Sequence, residues 1–254
     1  MMPLWTGPAV ALVTLFDADG SLATEATAAH AARLVELGVR AVVVNGTTGE
    51  AAAMTDGERA ALVTAVKAAC PTVPVVAGAS GEWWEPATTR VAAAVKAGAD
   101  AVLVAPPRFG DSVEQYYRHV AEAVAGVPVL AYNWPGVAGG EVSVDALPEL
   151  PVAGVKDSTA SADRLIRQID LAWSGAVYTG SAALIGFTGW VGGAGAIVGA
   201  ANFVPEECLA AWDGDAAAQR RVVRAVAAAG SRFPRSLKEA TAQRFGTPAT
   251  CRLG

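Results

Sequence analysis

Short, Val-rich apolar runs alternate with longer helix-like stretches along nearly the whole chain, and this alternation narrows the possible folds more than any other feature. The runs are Val10–Thr14, Ala41–Asn45, Val73–Ala77, Ala101–Val104, Val129–Tyr132, Val152–Lys156, Ala176–Thr179 and Ala196–Val198. Strands that show one face to water alternate apolar and polar residues, whereas continuous apolar strands are covered on both faces. Between them the helix signals are local and physical. Thr24–Leu37 stops at Gly38, which suits a left-handed end. Thr55–Ala69 opens with Thr55-Asp-Gly-Glu58, a capping box. Pro86–Ala97 carries Pro in its first turn and Gly98 just past its end. Ser112–Ala125, Ser161–Leu171 and a Gly-rich stretch near Ala182–Val191 continue the pattern.

Eight strand-then-helix units in 254 residues predict an α/β fold of the closed (β/α)8 TIM-barrel kind, whose typical size is about 250 residues. An open doubly wound sheet is the runner-up; even spacing without an evident edge strand favours closure. The chain reads as one domain over residues 1–254. Residues 1–204 form the barrel core and 205–254 a C-terminal helical segment containing Asp215–Ala229 and Ser236–Phe245.

Charge and composition exclude several function classes. With 19 Lys and Arg against 24 Asp and Glu, the net charge is −5 and there is no basic run, so a phosphate-backbone footprint for nucleic acid is lacking. Cys70, Cys208 and Cys251 are odd in number and far apart, which fits neither a disulfide scaffold nor a metal site. His30 and His119 each lie inside a helix-like stretch and read as packed or solvated residues. The first residues lack a basic leader and a small-residue cleavage site, so no signal peptide is read and a cytoplasmic location is expected. Residues 171–205 carry no charge and are long enough to span a bilayer. Their many glycines and the hydroxyls of Thr179, Ser181 and Thr188 favour doubly covered strands over a membrane segment.

In a barrel of this kind the chemistry gathers at the C-terminal strand ends, and those ends are polar here while the strands behind them are not. Lys156, in Gly154-Val-Lys-Asp157, would project into the barrel mouth. Burial there disfavours the charged form of an amine, and a neutral amine can attack a carbonyl to form an imine. Direct pairing with Asp157 is awkward because adjacent strand residues face opposite ways; an exposed, solvated Lys156 is the plain alternative. Tyr132 ends the preceding strand and could pass protons across to Lys156, or simply fill the barrel top. Gly46-Thr47-Thr48-Gly49 offers hydroxyls and amides suited to a carboxylate, though a Thr pair after a strand is also an ordinary turn. Glu50 would brace that loop. The glycines at 192, 193 and 195 precede a strand, so close backbone packing explains them better than a phosphate cradle.

Taken together, Gly46-Thr-Thr-Gly-Glu50, Tyr132-Asn-Trp-Pro135, Gly154-Val-Lys-Asp157 and Gly180 resemble the dihydrodipicolinate synthase/N-acetylneuraminate lyase family of class I, pyruvate-dependent aldolases. The likeness runs from Thr6-Gly7 to Ala249-Thr-Cys-Arg-Leu253. It implies a Schiff base between Lys156 and a 2-oxo acid, usually pyruvate, with Tyr132 as proton relay. Thr47 and Thr48 would hold the carboxylate, Thr48 would also link to the tyrosine, and Gly180 and Ile197 would line the pocket. The implied partners are pyruvate and an aldehyde; no metal or organic cofactor is implied, and a homotetramer or dimer is. Three positions depart from the family. Val137 stands where dihydrodipicolinate synthases carry an arginine for the aldehyde's carboxylate. Arg108, in Pro106-Pro-Arg-Phe109, stands at their interface tyrosine, and Thr14-Leu-Phe16 replaces Thr-Pro-Phe. These put lysine-pathway synthesis in doubt and leave Arg108 free to bind an anionic tail. A sugar-acid dehydratase on the same imine, an authentic 4-hydroxy-tetrahydrodipicolinate synthase, a non-catalytic 2-oxo-acid binder and a phosphate-binding barrel enzyme are the alternatives.

Overall fold

A computed structural model describes residues 2–110, 112–124 and 126–253. The strands are β1 (Gly7–Ala11), β2 (Val42–Val44), β3 (Val75–Gly78), β4 (Ala101–Val104), β5 (Val129–Asn133), β6 (Gly154–Asp157), β7 (Ala176–Thr179) and β8 (Gly195–Val198). Each pairs in parallel with the next in chain order, and β8 pairs with β1, closing the barrel. Helices α1 (Thr24–Glu36), α2 (Asp56–Ala69), α3 (Trp84–Lys96), α4 (Val113–Ala123), α5 (Ala162–Ile169) and α6 (Ile185–Trp190) follow β1, β2, β3, β4, β6 and β7 in that order. Helices α7 (Pro205–Trp212), α8 (Ala216–Ala229) and α9 (Arg235–Phe245) follow β8.

Period-two alternation divides the apolar strand residues into two layers. Val10, Val42, Val44, Val75, Ala77, Val102, Val155 and Val198 face the helices in one large cluster. Ala9, Ala11, Val43, Val76, Leu103, Leu130, Tyr132, Tyr178 and Ile197 fill the lumen in a second. Burying a Val or Leu side chain contributes about 1.5–3 kcal/mol relative to exposure, so a run that is apolar at every position gains on both faces. Trp5 closes the lumen from the N-terminal side of β1: its ring stacks on Tyr178 at 4.3 Å, and its carbonyl accepts the Tyr178 hydroxyl at 3.1 Å. Gly195 lies where β8 meets β1, and a Cβ there would come within 2.3 Å of the Gly7 carbonyl oxygen.

Several boundaries differ from those expected, each for a local reason. The first strand is Gly7–Ala11 instead of Val10–Thr14. Pro8 has no N–H to donate and keeps its place in the strand through its carbonyl, which accepts Arg40 N, while the ladder yields at Val13, whose N–H goes to the side chain of Asn202. Helix α3 starts two residues before Pro86, still within a first turn that needs no N–H donor there. Ser112 caps α4 by accepting from Gln115 N; the expected end of that helix, Ala125, lies outside the described residues. The stretch 182–191 divides into a 3-10 turn, Ala182–Leu184, and α6. Pro205–Trp212, expected only as part of the C-terminal helical segment 205–254 and without bounds of its own, forms α7, packs on β1 and α6 and continues the ring of barrel helices, leaving α8 and α9 as the additional ones. The uncharged segment 171–205 breaks into β7, α6 and β8, and no helix among the described residues is long and apolar enough to cross a membrane.

His30 illustrates the cost of the α1–α9 contact. It is 1% exposed, tilts against Phe245 at 5.5 Å, and burial followed by the nearby charge of Arg33 lowers its pKa from 6.5 to about 4. Between those values the unfolded chain binds a proton that the folded chain refuses. Stability from this residue is therefore complete above pH 6.5 and declines as the pH falls toward 4. Urea midpoints should show wild type losing about 2 kcal/mol more than His30→Leu between pH 7.5 and 5.

Candidate active site

Strand β6 ends on two adjacent ionisable residues, and the pleat sends them opposite ways. Lys156 is 5% exposed and points into the lumen, with Nζ 4.3 Å from the centre of the Tyr132 ring. In the sheet register Lys156 lies between Tyr132 of β5 and Tyr178 of β7. Asp157 faces the helices. Its carboxylate accepts from Arg164 Nε at 2.6 Å, Gln168 Nε2 at 2.9 Å, Asn133 Nδ2 at 2.9 Å and the backbone N–H of Thr159 at 2.9 Å. Burial pushes its pKa up, but the bonds from Thr159, Arg164 and Asn133 outweigh burial and hold it below the usual carboxylate range. The nearest acid in sequence is thus committed to α5 and is not available to Lys156. Asn133 is committed too: its Oδ1 accepts Val142 N at 2.9 Å, anchoring the loop after β5.

Tyr132 is buried, and its hydroxyl lies 3.4 Å from that of Thr47. The threonine that meets the phenol is therefore Thr47; Thr48 turns toward the end of β8, where a Cβ at Gly199 would lie 3.6 Å from its Cγ2. The loop carrying both is a compact turn. Gly46 O accepts Gly49 N, Thr47 O accepts Glu50 N, and Asn45 and Glu50 both take left-handed backbone angles without being glycine. Such angles persist only where surrounding contacts impose them. At Glu50 the contacts are explicit. Its fully buried carboxylate pairs with the fully buried ammonium of Lys238 and accepts the N–H groups of Arg252 and Leu253 at 2.8 and 2.6 Å. Burial pulls the Lys238 pKa below the usual lysine value, and Glu50 opposes that pull. Gly180 follows β7 and donates its N–H to Asp157 O at 2.6 Å; a Cβ there would fall 1.9 Å from Ser158 Oγ, so only glycine fits. Ile197 is fully buried on the lumen side of β8.

A cavity of about 460 Å³ opens beside these groups, lined by Thr47, Tyr132, Arg108 and Val137 among others. Arg108 is exposed at the rim and donates to the Gly136 carbonyl at 2.5 Å, tying the loop after β4 to the loop after β5. Among the lining residues that the sequence did not mark as site candidates are Arg59, Arg90 and Leu253. Arg59 and Arg90 occupy ordinary helix positions, and nothing in their spacing distinguishes them from a solvated helix face. Here both are largely buried, with Asp56 as a shared counter-charge 3.8 and 3.1 Å away. The cavity can thus present a phenol, a threonine hydroxyl and cationic walls to one small anionic molecule; Lys156, Thr48, Gly180 and Ile197 do not line it, and the Lys156 amine adjoins it through the Tyr132 ring.

The model of the dihydrodipicolinate synthetase family matches residues 5–225. A DapA-like lyase of Halobacterium salinarum is 36% identical over 204 residues, covering 77% of this chain and 67% of its own length. The 4-hydroxy-tetrahydrodipicolinate synthase of Pseudomonas aeruginosa is 34% identical over 234 residues, 85% of this chain and 78% of its own. Among solved structures, the Escherichia coli K12 prophage protein YagE in complex with pyruvate superposes with a TM-score of 0.87 at 26% identity, covering 98% of this chain and 92% of that one. Dihydrodipicolinate synthase DapA-2 of Bacillus anthracis superposes with a TM-score of 0.88 at 25% identity, over 100% and 92%.

The buried pair yields a direct expectation. Glu50→Gln preserves shape but leaves Lys238 without a counter-charge in the interior, which costs about 3–5 kcal/mol. Urea unfolding should register that loss, and Glu50→Gln combined with Lys238→Met should recover most of it.

Proposed function

Because this chain belongs to the dihydrodipicolinate synthetase family of lyases and aldolases, we propose that it joins pyruvate to an aldehyde, or cleaves the corresponding 2-oxo-4-hydroxy acid, through an imine on Lys156. The observation that carries this reading is the buried Lys156 amine set 4.3 Å from the centre of the Tyr132 ring, whose hydroxyl meets that of Thr47. The neutral amine attacks the pyruvate ketone, and the resulting carbinolamine loses water once its hydroxyl is protonated. Tyr132, whose ring lies beside the amine, supplies that proton and takes it back. The positive imine nitrogen accepts the electron pair left when a C3 proton departs, giving an enamine. C3 then attacks the aldehyde carbon, the new alkoxide takes a proton, and water releases the product and the free amine.

Thr47 orients the phenol and, with Thr48 and the amides of the Gly46–Glu50 turn, receives the pyruvate carboxylate. Gly180 and Ile197 bound the lumen on the β7–β8 side. Val137 gives the aldehyde no cation at its position, so any anionic group of that substrate would turn to Arg108 or to the Arg59–Arg90 wall. The same reading includes a homo-oligomer: Phe109, beside Arg108 at the cavity rim, stands 89% exposed and offers an apolar surface to a second copy.

Borohydride reduction in the presence of pyruvate should add one covalent adduct, detected by intact mass, and Lys156→Ala should not acquire it. An unmodified wild-type mass would refute the imine. Tyr132→Phe, assayed for C3 proton exchange of pyruvate in heavy water, should be slower by about 10²–10⁴-fold.

A further inference from the structure

The C-terminal segment, residues 250–253, is bonded to the loops after β1 and β2 and to α2 and α9. Lys238 Nζ donates to the Thr250 carbonyl at 2.8 Å, and Glu50 accepts the amides of Arg252 and Leu253. The Arg252 guanidinium reaches three separate elements. It donates to Gly20 O in the loop after β1 at 2.8 Å and to Ala53 O in the loop after β2 at 2.9 Å. It also forms a two-point pair with Glu58 of α2, at 2.6 and 2.9 Å, while its plane lies 4.2 Å from the centre of the Phe16 ring. The hydrogen bonds from Arg252 bring the Glu58 pKa down to about 2, so this pairing persists over the whole range in which such an enzyme works. A planar guanidinium held by two oxygens of one carboxylate and by two carbonyls has little rotational freedom left.

This seat has a consequence for the residue that follows. Leu253 lines the same cavity as Thr47 and Tyr132, beside Ala51 and Ala52, and is 45% exposed. A leucine fixed by its own amide to a buried carboxylate, with its side chain on a cavity wall, presents a preorganised apolar contact. Glu50 ties the two functions together. The carboxylate that holds Leu253 N lies three residues after Thr47 in one compact turn, so the wall and the threonine keep a set spacing.

We propose that Leu253 is a specificity-determining residue for the carbon chain of the second substrate, the aldehyde-derived part beyond C3 of the 2-oxo acid, and that Glu50 and Arg252 are the positioning residues that hold it there. The inference rests on the imine reading above. Lys156, Tyr132 and Thr47 handle the 2-oxo-acid head, and Leu253 with Ala51 and Ala52 meets an uncharged methylene or carbinol stretch of the tail. Anionic groups on that tail fall outside this patch.

Borohydride trapping separates head from tail without requiring the physiological aldehyde. Pyruvate probes the head alone; 2-oxohexanoate carries the same head with a carbon chain where aldehyde-derived carbons would lie. For Leu253→Ala the half-saturating concentration of 2-oxohexanoate should rise about tenfold while that of pyruvate stays within about twofold. Leu253→Met, which conserves volume, should keep both near wild type. Arg252→Ala should reproduce the Leu253→Ala pattern if the seat holds the wall. Equal shifts for both acids, no shift for either, or a wild type that traps pyruvate but refuses 2-oxohexanoate would overturn the assignment of Leu253 alone. A wild type that traps neither acid would overturn the imine reading and this inference with it.

Discussion

The closed ring of parallel strands imposes a two-residue period on everything that stands at its mouth. Inside a barrel each strand residue has one of two destinations, the lumen or the helix layer, and neighbours in sequence cannot share one. At the end of β6 this separates Lys156 from Asp157 as completely as a domain boundary would. The lysine meets Tyr132 across the register, and the aspartate is saturated by Arg164, Gln168, Asn133 and Thr159 in the helix layer. Had the strand slipped by one position, the amine would be paired on the outside and the acid would face the cavity. The proposed chemistry therefore depends on register before it depends on any single contact.

A second constraint is that the catalytic end is assembled from distant parts of the chain by buried charge. Glu50 and Lys238 are both sealed from water and lie 188 residues apart in sequence (238 less 50). An isolated charge in such a place would cost far more than the fold could sustain, so each needs the other. What the pair secures is a location: it holds the C-terminal segment against the loop that carries Thr47. The stability of that contact and the shape of the cavity are consequently one property. The buried, neutral His30 beneath Phe245 shows the same region accepting a cost in acid for close packing between α1 and α9.

Much of the barrel was legible because its signals are local. β4 and β7 appear at their expected bounds, since uninterrupted apolar runs flanked by polar ends admit few readings, and the Thr55–Glu58 capping box stands where its spacing placed it. β1 was displaced by three residues because its end depends on Asn202, almost two hundred residues away. α7 had no bounds of its own in the sequence because it is only eight residues long and its polar residues, Glu206 and Glu207, are confined to the first turn, so no helical period repeats along it. In the candidate site, Lys156, Tyr132 and Thr47 were visible as polar residues ending apolar strands or opening the loop after one. Which of the paired threonines reaches the phenol was not, because that depends on how the turn is rotated.

From the sequence alone, strand alternation and polar strand ends determined that this protein is a parallel barrel with a lysine, a tyrosine and a threonine pair at its mouth. Those features follow from residue type and spacing along one chain segment at a time. Only the tertiary structure decided that Arg59, Arg90 and Leu253 share that cavity, that Thr47 faces Tyr132, and that Glu50 answers to Lys238. Each of these joins residues remote in sequence, and their meeting is set by ring closure and by the requirement that a buried charge find its partner.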